Sequence, residues 1–300
     1  MILEPNRRRR TRLFRAVAGL AAIILVAVFL ASGWLPSALS LSTATARPVP
    51  QPSPTQLVAA ASSPSPSAAT PSGPPPSPGP SLAPGTCAPP PADVQPAAVV
   101  SHGPRTQKWV ALTFDDGYNA ANVLRIVHFL SVNRVNATFF PTGQAIEMAP
   151  KTWLSVAQAG FPIGNHTYHH ISLKGLCFAA QLAELERAKR QFQDQLLPLQ
   201  NIMRPPYEDF DTNTRLAAAA AGEPYVILWD RDTFDWTGVS KQTIANRALA
   251  GRPGSIVLMH TTTTNTTAAL GNIITQYRKR GFIFVTIQQM LGVPGPVPFH

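Results

Sequence analysis

The chain has 300 residues, a formal net charge of +10 and only two cysteines. Half of the net charge comes from the first fifteen residues, which carry six arginines and one glutamate. Because basic and aromatic residues are not interleaved elsewhere, the composition argues against a nucleic-acid-binding protein and predicts no nucleic-acid partner.

An apolar segment follows the basic residues 1–15. Residues 16–34 contain no charged side chain, and as a helix they would extend about 28 Å, close to the thickness of a bilayer core. Arginines on one side only predict a cytoplasmic N-terminus and a single-pass membrane protein whose remaining chain is extracellular. The alternative is a signal peptide cleaved near Ala44-Thr45-Ala46, which would give a secreted protein.

Residues 35–104 are rich in Pro, Ser and Ala and predict a disordered linker. Prolines favour extended conformations, so this segment suits a tether between a membrane and a domain working in the cell wall. One cysteine, Cys87, lies near the end of the linker and the other, Cys177, lies further along the chain. Outside the cell these two can form a disulfide, although their presence alone does not establish the pairing.

Residues 105–292 alternate short β-rich runs with amphipathic helical stretches, and residues 293–300 are expected to form a C-terminal tail. The alternation predicts an α/β domain with a parallel sheet or barrel, in which polar site residues follow the strand ends. The predicted strands are 110–114, 137–141, 161–165, 202–204, 225–229, 255–259 and 282–286. The predicted helices include 120–130, 152–159, 178–196, 212–221 and 241–249.

The first of the predicted strands ends at two adjacent acids, Asp115 and Asp116, followed by Gly117. Two consecutive carboxylates have no place inside a buried strand, so they are expected where the strand leaves the core. Neighbouring carboxylates repel each other, which calls for a cation or a strong donor nearby. The alternative is a plain Asx-type turn at the end of a strand, which these three residues taken alone favour.

His166 and His170 follow the third predicted strand. Four residues apart, they can face one way from a single helical turn and donate nitrogen to one metal ion, whereas His169 would point elsewhere. With Asp116 they would form a His-His-Asp set that leaves coordination positions open, as in catalytic metal sites. A solvated histidine-rich loop is the alternative.

Three later strands also end in polar or aromatic residues. Arg204, before Pro205-Pro206-Tyr207, is a fixed cation that can pair with Asp115. The stretch from Asp230 to Trp236 combines acids with aromatic side chains, which suits a sugar-binding groove or ordinary packing at a rim. His260 ends an apolar strand and would lie on the same rim.

Taken in order, these stretches resemble the NodB-homology polysaccharide deacetylases, carbohydrate esterase family 4, over residues 105–292. The resemblance implies a distorted (β/α) barrel, and the seven predicted strands agree with it. The matching stretches are Thr113-Phe114-Asp115-Asp116-Gly117, His166-Thr167-Tyr168-His169-His170, Arg204-Pro205-Pro206-Tyr207, Asp232-Thr233-Phe234-Asp235-Trp236 and Leu258-Met259-His260.

The resemblance implies that Asp116, His166 and His170 are the ligands of a divalent metal, usually zinc, with cobalt or another divalent ion as alternatives. It also implies that Asp115 is the general base and that Arg204 pairs with it.

For the remaining site residues, the resemblance implies that His260 protonates the leaving amine and that Asp235 orients His260. It assigns the backbone N–H of Tyr207 to the oxyanion of the tetrahedral intermediate. Trp236 and Leu258 are implied to line the groove around the acetyl group.

Two positions depart from the family pattern. Glu208 stands where glycine commonly follows the tyrosine, and its side chain could narrow the groove, change the substrate preference or alter the neighbouring oxyanion geometry. The run Thr261–Thr267 replaces a more usual acidic or small residue, and we interpret it as a loop that caps the next helix through Thr264 or Asn265.

The sequence therefore favours a metal-dependent hydrolase that removes N-acetyl groups from an envelope glycan such as peptidoglycan or a chitin-like polymer. An O-acetyl xylan-type esterase and an inactive glycan-binding wall module are the alternatives. The expected partners are an acetylated glycan and, through the N-terminal anchor, the membrane; a monomer is assumed.

Overall fold

The computed structural model of the protein describes residues 89–299. The basic N-terminus, the apolar segment, most of the predicted linker and Cys87 lie outside the described residues, so the predictions about them stay predictions. In the part of the chain that is described, no helix is long and apolar enough to cross a membrane.

Within residues 89–299, nine strands form one sheet, and all pairings between them are parallel. Their order is β1-β6-β5-β4-β3-β2-β8-β7, and β9 pairs with the start of β2. Since β1 and β7 do not pair with each other, the barrel is incomplete. The strands are β1 Ala98–Val100, β2 Trp109–Asp116, β3 Ala137–Pro141, β4 Ile163–Asn165, β5 Leu199–Met203, β6 Tyr225–Ile227, β7 Arg231–Asp232, β8 Ser255–His260 and β9 Ile283–Phe284.

Eight α-helices are present in the same range, and most of them cover the outside of the sheet. The five helices predicted from periodicity are all present, with ends that differ by at most a few residues. The helices are α1 Ala120–Val132, α2 Gly143–Met148, α3 Pro150–Gln158, α4 Phe178–Asp194, α5 Thr212–Ala220, α6 Lys241–Leu249, α7 Thr264–Lys279 and α8 Ile287–Leu291.

The predicted parallel α/β architecture is confirmed, and the sheet contains two strands in addition to the seven predicted ones. The seven predicted strands correspond to β2 to β6, β8 and β9, and the sheet also contains β1 and the two-residue β7. Strand β7 is too short to produce a periodic pattern of its own. Strand β1 falls in a stretch whose alanines and prolines conceal the β-branched pair Val99-Val100.

Both predicted ends of the domain need correction. Strand β1 lies inside the predicted linker 35–104, yet it pairs with β6, and the preceding Ala97 is buried. At the other end, Phe299 packs edge-on against Phe161 and exchanges two hydrogen bonds with the side chain of Asn136. The C-terminal stretch is thus part of the packed domain up to residue 299.

The alternation of side chains along β2 explains how the sheet presents its acids. Val110, Leu112 and Phe114 belong to the hydrophobic core beneath the helices, whereas Ala111 belongs to a second core inside the barrel. By the same two-residue period, Asp115 points into the barrel at its mouth. Asp116 would follow the outward set, but its φ of 77° turns it out of that alternation.

Candidate active site

A cavity of about 350 Å³ opens at the carboxyl ends of the strands, as expected for a parallel α/β sheet. Eight of the ten predicted site residues line it, and the other two, Arg204 and Asp235, are completely buried. The lining residues are Asp115, Asp116, His166, His170, Pro205, Tyr207, Trp229, Asp232, Trp236, Leu258 and His260.

Three of these side chains form a compact set of metal-ligand atoms. One ligand atom from each of Asp116, His166 and His170 lies within 4.8 Å of the other two. The Oδ1 atom of Asp116 is 3.3 Å from Nε2 of His170 and 3.8 Å from Nε2 of His166. These three residues are the predicted set.

The two histidines come together through a loop and not through a helical turn, so the geometric reason given for their spacing was wrong. Residues 166–170 have no regular structure, and Thr167 and His170 adopt left-handed φ values of 62° and 58°. His169 points away as expected: its Nδ1 lies 2.6 Å from Glu184, a residue of helix α4.

Hydrogen bonds direct the same ring atom of both histidines towards Asp116. In His166, Nδ1 donates to the carbonyl of Arg204 at 2.8 Å, which leaves Nε2 without a proton. In His170, Nδ1 lies 3.0 Å from the hydroxyl of Tyr207, which can itself donate to the His170 carbonyl. Each Nε2 therefore keeps its lone pair for the cavity.

The protonation of the set favours cation binding. Burial lowers the pKa of His166 to about 4, although nearby carboxylates oppose the shift, so the imidazole is neutral at physiological pH. Burial would raise the pKa of Asp116, but interaction with the His170 imidazole and the positive charge of nearby His260 lower it to about 2.

The set fits a divalent metal on structural grounds. Oδ1 of Asp116 is buried and has no hydrogen-bond partner among the described residues. An unpaired buried carboxylate oxygen is costly unless a cation completes its environment. Two neutral imidazoles and one carboxylate are the donors that zinc and related ions prefer, and three protein ligands leave positions open.

Asp115 lies beside this set and forms a buried ion pair with Arg204. The Arg204 guanidinium is completely buried and donates to Oδ1 of Asp115 at 2.7 Å and to Thr113 at 2.9 Å. Its other donors bond the carbonyls of Ile227 and Leu228. The guanidinium therefore has a fixed orientation, and it compensates one of the two adjacent carboxylates.

His260 ends strand β8 next to Asp115 in the sheet, and it forms a second charged pair with Asp235. Nδ1 of His260 lies 2.7 Å from Oδ1 of Asp235, and the His260 backbone N–H donates to Oδ2 at 2.8 Å. Burial opposes protonation of His260, but the hydrogen bond to Asp235 and nearby carboxylates, including Asp116, raise its pKa to about 9. His260 is therefore a cation at neutral pH.

Two aromatic side chains at the rim are well placed to contact a ligand. Tyr207 and Trp236 line the cavity, yet 65% and 61% of their surfaces are exposed. Glu208, next to Tyr207, is exposed and is not among the residues that line the cavity, so its side chain does not narrow the cavity. Its unusual feature is a φ of 60°, a region in which glycine is the natural residue.

The threonine run after β8 caps the next helix as predicted, although through a different residue, and it also has a second role. Thr263, and not Thr264 or Asn265, is the N-cap of α7. Thr261 is buried, and its hydroxyl donates to the Asp115 carbonyl at 3.0 Å and accepts from the Gly117 N–H at 2.8 Å. It thus joins the end of β8 to the turn that carries both acids.

Glu223 is a supporting residue that the sequence did not indicate. It is buried and accepts a hydrogen bond at 2.7 Å from Asn165, whose side-chain oxygen in turn accepts from the Thr167 N–H. Asn165 directly precedes His166, so this contact supports the loop of the histidines. Nothing in the local sequence marks Glu223, because its partner lies 58 residues away.

Comparison with known proteins agrees with this geometry. Residues 102–226 match the family model described as polysaccharide deacetylase. A peptidoglycan-N-acetylglucosamine deacetylase of Bacillus cereus is 34% identical over 213 residues, which cover 66% of this chain and 73% of the relative. A bifunctional xylanase/xylan deacetylase of Cellvibrio japonicus is 32% identical over 181 residues, which cover 60% of this chain and 27% of the relative.

The same fold is found in solved structures. The crystal structure of a peptidoglycan N-acetylglucosamine deacetylase superposes with a TM-score of 0.63 and 32% identity, covering 66% of this chain and 95% of that chain. The incomplete parallel barrel with an Asp-His-His set at its mouth defines a class of carbohydrate-active hydrolases. The chain belongs to that class as a member of the NodB-homology polysaccharide deacetylases, carbohydrate esterase family 4.

Proposed function

We propose that this protein removes N-acetyl groups from an amino-sugar polymer of the cell envelope, with peptidoglycan as the first choice of substrate. The observation that carries the proposal is that groups with different chemical roles line one cavity. The Asp116-His166-His170 set lies beside Asp115, and the protonated His260 faces the same space.

The metal set has one function in this proposal. Asp116, His166 and His170 would hold a divalent metal, with zinc as the first choice and cobalt as an alternative, and the metal would supply a Lewis acid to activate water and polarise the acetyl carbonyl. The neutral His166 and the ionised Asp116 are already in the protonation states that such binding requires.

The remaining residues move protons and hold the substrate. Asp115, fixed by Arg204, accepts a proton from the water whose oxygen bonds to the carbonyl carbon. In this proposal the backbone N–H of Tyr207 stabilises the oxyanion that develops on the acetyl oxygen. His260, oriented by Asp235, gives its proton to the nitrogen as the carbon–nitrogen bond breaks, releasing acetate and a free amine.

Trp236 and Leu258 complete the acetyl-binding part of the groove in this proposal. The exposed ring of Trp236 offers an apolar face to a sugar, and the buried Leu258 lies at the cavity wall beside the position of the methyl group. The predicted anchor and tether would place this groove outside the membrane, within reach of the wall. A secreted form is the alternative.

An O-acetyl esterase activity on xylan-type polymers is the second candidate. The similarity to the xylan deacetylase of Cellvibrio japonicus favours it, because the same residues could attack an ester as readily as an amide. In ester hydrolysis the leaving group is an alcohol, and its departure needs less help from a general acid than the departure of an amine does.

Acetate release distinguishes these candidates. The purified protein should release acetate from N-acetylated peptidoglycan or chitin oligomers faster than from O-acetylated xylan, and a chelator should abolish the release. Faster release from xylan would favour the esterase. Release from neither substrate by the metal-loaded protein would reject both activities and favour a glycan-binding module.

A further inference from the structure

The end of the barrel opposite the cavity carries a strongly basic surface. Six exposed cations each lie just before a strand: Lys108 before β2, Arg134 before β3, Arg252 before β8, and Arg278, Lys279 and Arg280 before β9. Strands β3, β2 and β8 are parallel neighbours, and β9 pairs with β2, so their starts lie together. We call these six residues the basic face.

Contacts between neighbouring segments join the basic face into one surface. Lys108 donates to the Arg280 carbonyl at 3.2 Å, and Arg280 donates to the carbonyl of Gly251, next to Arg252, at 2.8 Å. Arg278 donates to the carbonyl of Asn133, the residue before Arg134. These bonds go to backbone oxygens, so they leave the positive charges uncompensated.

Within residues 89–299, none of the six cations forms an ion pair. The nearby acid Asp230 is already paired with Arg105 at 2.8 Å. Unpaired like charges at close range repel one another, and an anionic partner would relieve that repulsion. The basic face is therefore suited to a surface with negative charge.

Two exposed aliphatic side chains lie among these cations. Ile283 is 60% exposed, and its backbone N–H bonds the Lys108 carbonyl at 2.8 Å. Val132 is 68% exposed and lies next to Asn133, the residue bonded by Arg278. Cations around exposed aliphatic groups are typical of surfaces that adsorb to anionic bilayers, whereas a soluble polyanion would use the charges alone.

We propose that the basic face docks the domain on an anionic phospholipid bilayer, with Ile283 and Val132 entering the headgroup region. Strand β1 begins at this same end, because it is parallel to the rest of the sheet, so the chain enters the sheet at the docked side. The cavity lies at the strands' opposite ends and would face away from the bilayer. Docking thus orients the site towards material above the membrane.

Vesicle sedimentation of residues 89–300 tests this proposal without the apolar N-terminal segment. A domain of this extent folds alone in a relative, since the match covers 95% of a crystallised deacetylase chain. The fragment should bind vesicles of phosphatidylglycerol and phosphatidylcholine, and not pure phosphatidylcholine. Each basic side chain near an anionic surface contributes about fivefold, so the triple variant Lys108→Gln, Arg134→Gln, Lys279→Gln should partition about 100-fold less.

The matched control removes the same charge elsewhere. Lys151, Lys174 and Lys241 are exposed and lie outside the basic face, so the triple change of these residues to Gln should leave partitioning nearly unchanged. An equal loss in this control would overturn the proposal, because net charge alone would then explain binding. No binding of the wild-type fragment to anionic vesicles would overturn it as well.

A second comparison separates a bilayer from a soluble polyanion. Ile283→Ser should weaken binding to vesicles several-fold and leave binding to soluble polyphosphate unchanged. If Ile283→Ser had no effect on vesicles, or if polyphosphate bound as tightly as the vesicles, the basic face would be a polyanion site and the membrane proposal would be wrong. Circular dichroism confirms that each variant remains folded.

Discussion

Arg204→Met removes a buried guanidinium from beneath Asp115 with a side chain of similar length. Arg204 has no exposed surface, and Asp115 keeps only 4% of its side-chain surface exposed. The substitution removes the 2.7 Å ion-paired hydrogen bond and leaves the Ile227 and Leu228 carbonyls without this donor. The Asp115 carboxylate would then remain buried beside Asp116 without its ion-pair partner.

Removing one partner of a buried ion pair costs about 3 to 5 kcal/mol, mainly because the other charge stays desolvated and unpaired. Arg204→Met and Asp115→Asn are each expected to lower the free energy of unfolding by this amount. The double variant buries neither charge, so its loss should be smaller than the sum of the single losses by at least about 2 kcal/mol.

Urea denaturation of the metal-free fragment 89–300, monitored by circular dichroism, measures these free energies of unfolding. The chelated protein is used because a bound cation near Asp115 would compensate part of the unpaired charge. Additive losses, within about 0.5 kcal/mol, would refute the reasoning and show that Arg204 stabilises the sheet independently of Asp115.

Three other predictions follow from the site. His166→Ala should abolish stoichiometric metal binding in elemental analysis, whereas the control His169→Ala should retain it; equal metal content would reject the ligand assignment. Wild-type kcat/KM should fall as the pH rises past about 9, when His260 loses its proton. Because the hydrogen bond to Asp235 raises the pKa of His260, Asp235→Asn should move this fall to lower pH. A pH profile equal to that of the wild type would reject Asp235 as the orienting group. Burial raises the pKa of Glu223 from 4.5 to about 8, so the folded state keeps a proton that the unfolded chain loses, and stability falls between these pH values. Glu223→Gln should remove that fall and raise the free energy of unfolding at pH 7 to 8 by on the order of 3 kcal/mol in urea titrations, and a pH dependence equal to that of the wild type would contradict it.

The parallel sheet and the placement of most site residues could be predicted because their signals are local. Asp115 and Asp116 interrupt an apolar strand, and His260 ends another, so the carboxyl edge of the sheet was visible in the sequence. The resemblance to the family then assigned the partners, and Arg204 does contact Asp115.

The features that could not be predicted depend on backbone conformation or on distant contacts. The left-handed φ values of Asp116 and His170 bring their side chains into the cavity, and no periodic pattern indicates them. Thr261 and Glu223 act through partners more than 50 residues away. Strand β1 has three residues, and its pairing with β6 depends on the tertiary fold.

The central claim is that Asp115 works as a base beside a metal held by its neighbours. The most direct test measures metal content and acetate release from N-acetylated peptidoglycan for wild type and Asp115→Asn in parallel. The wild type should bind about one divalent ion per chain and release acetate, and Asp115→Asn should keep the ion while losing turnover by about 10²- to 10⁴-fold. Undiminished acetate release by metal-loaded Asp115→Asn, or no release by the metal-loaded wild type, would contradict the claim.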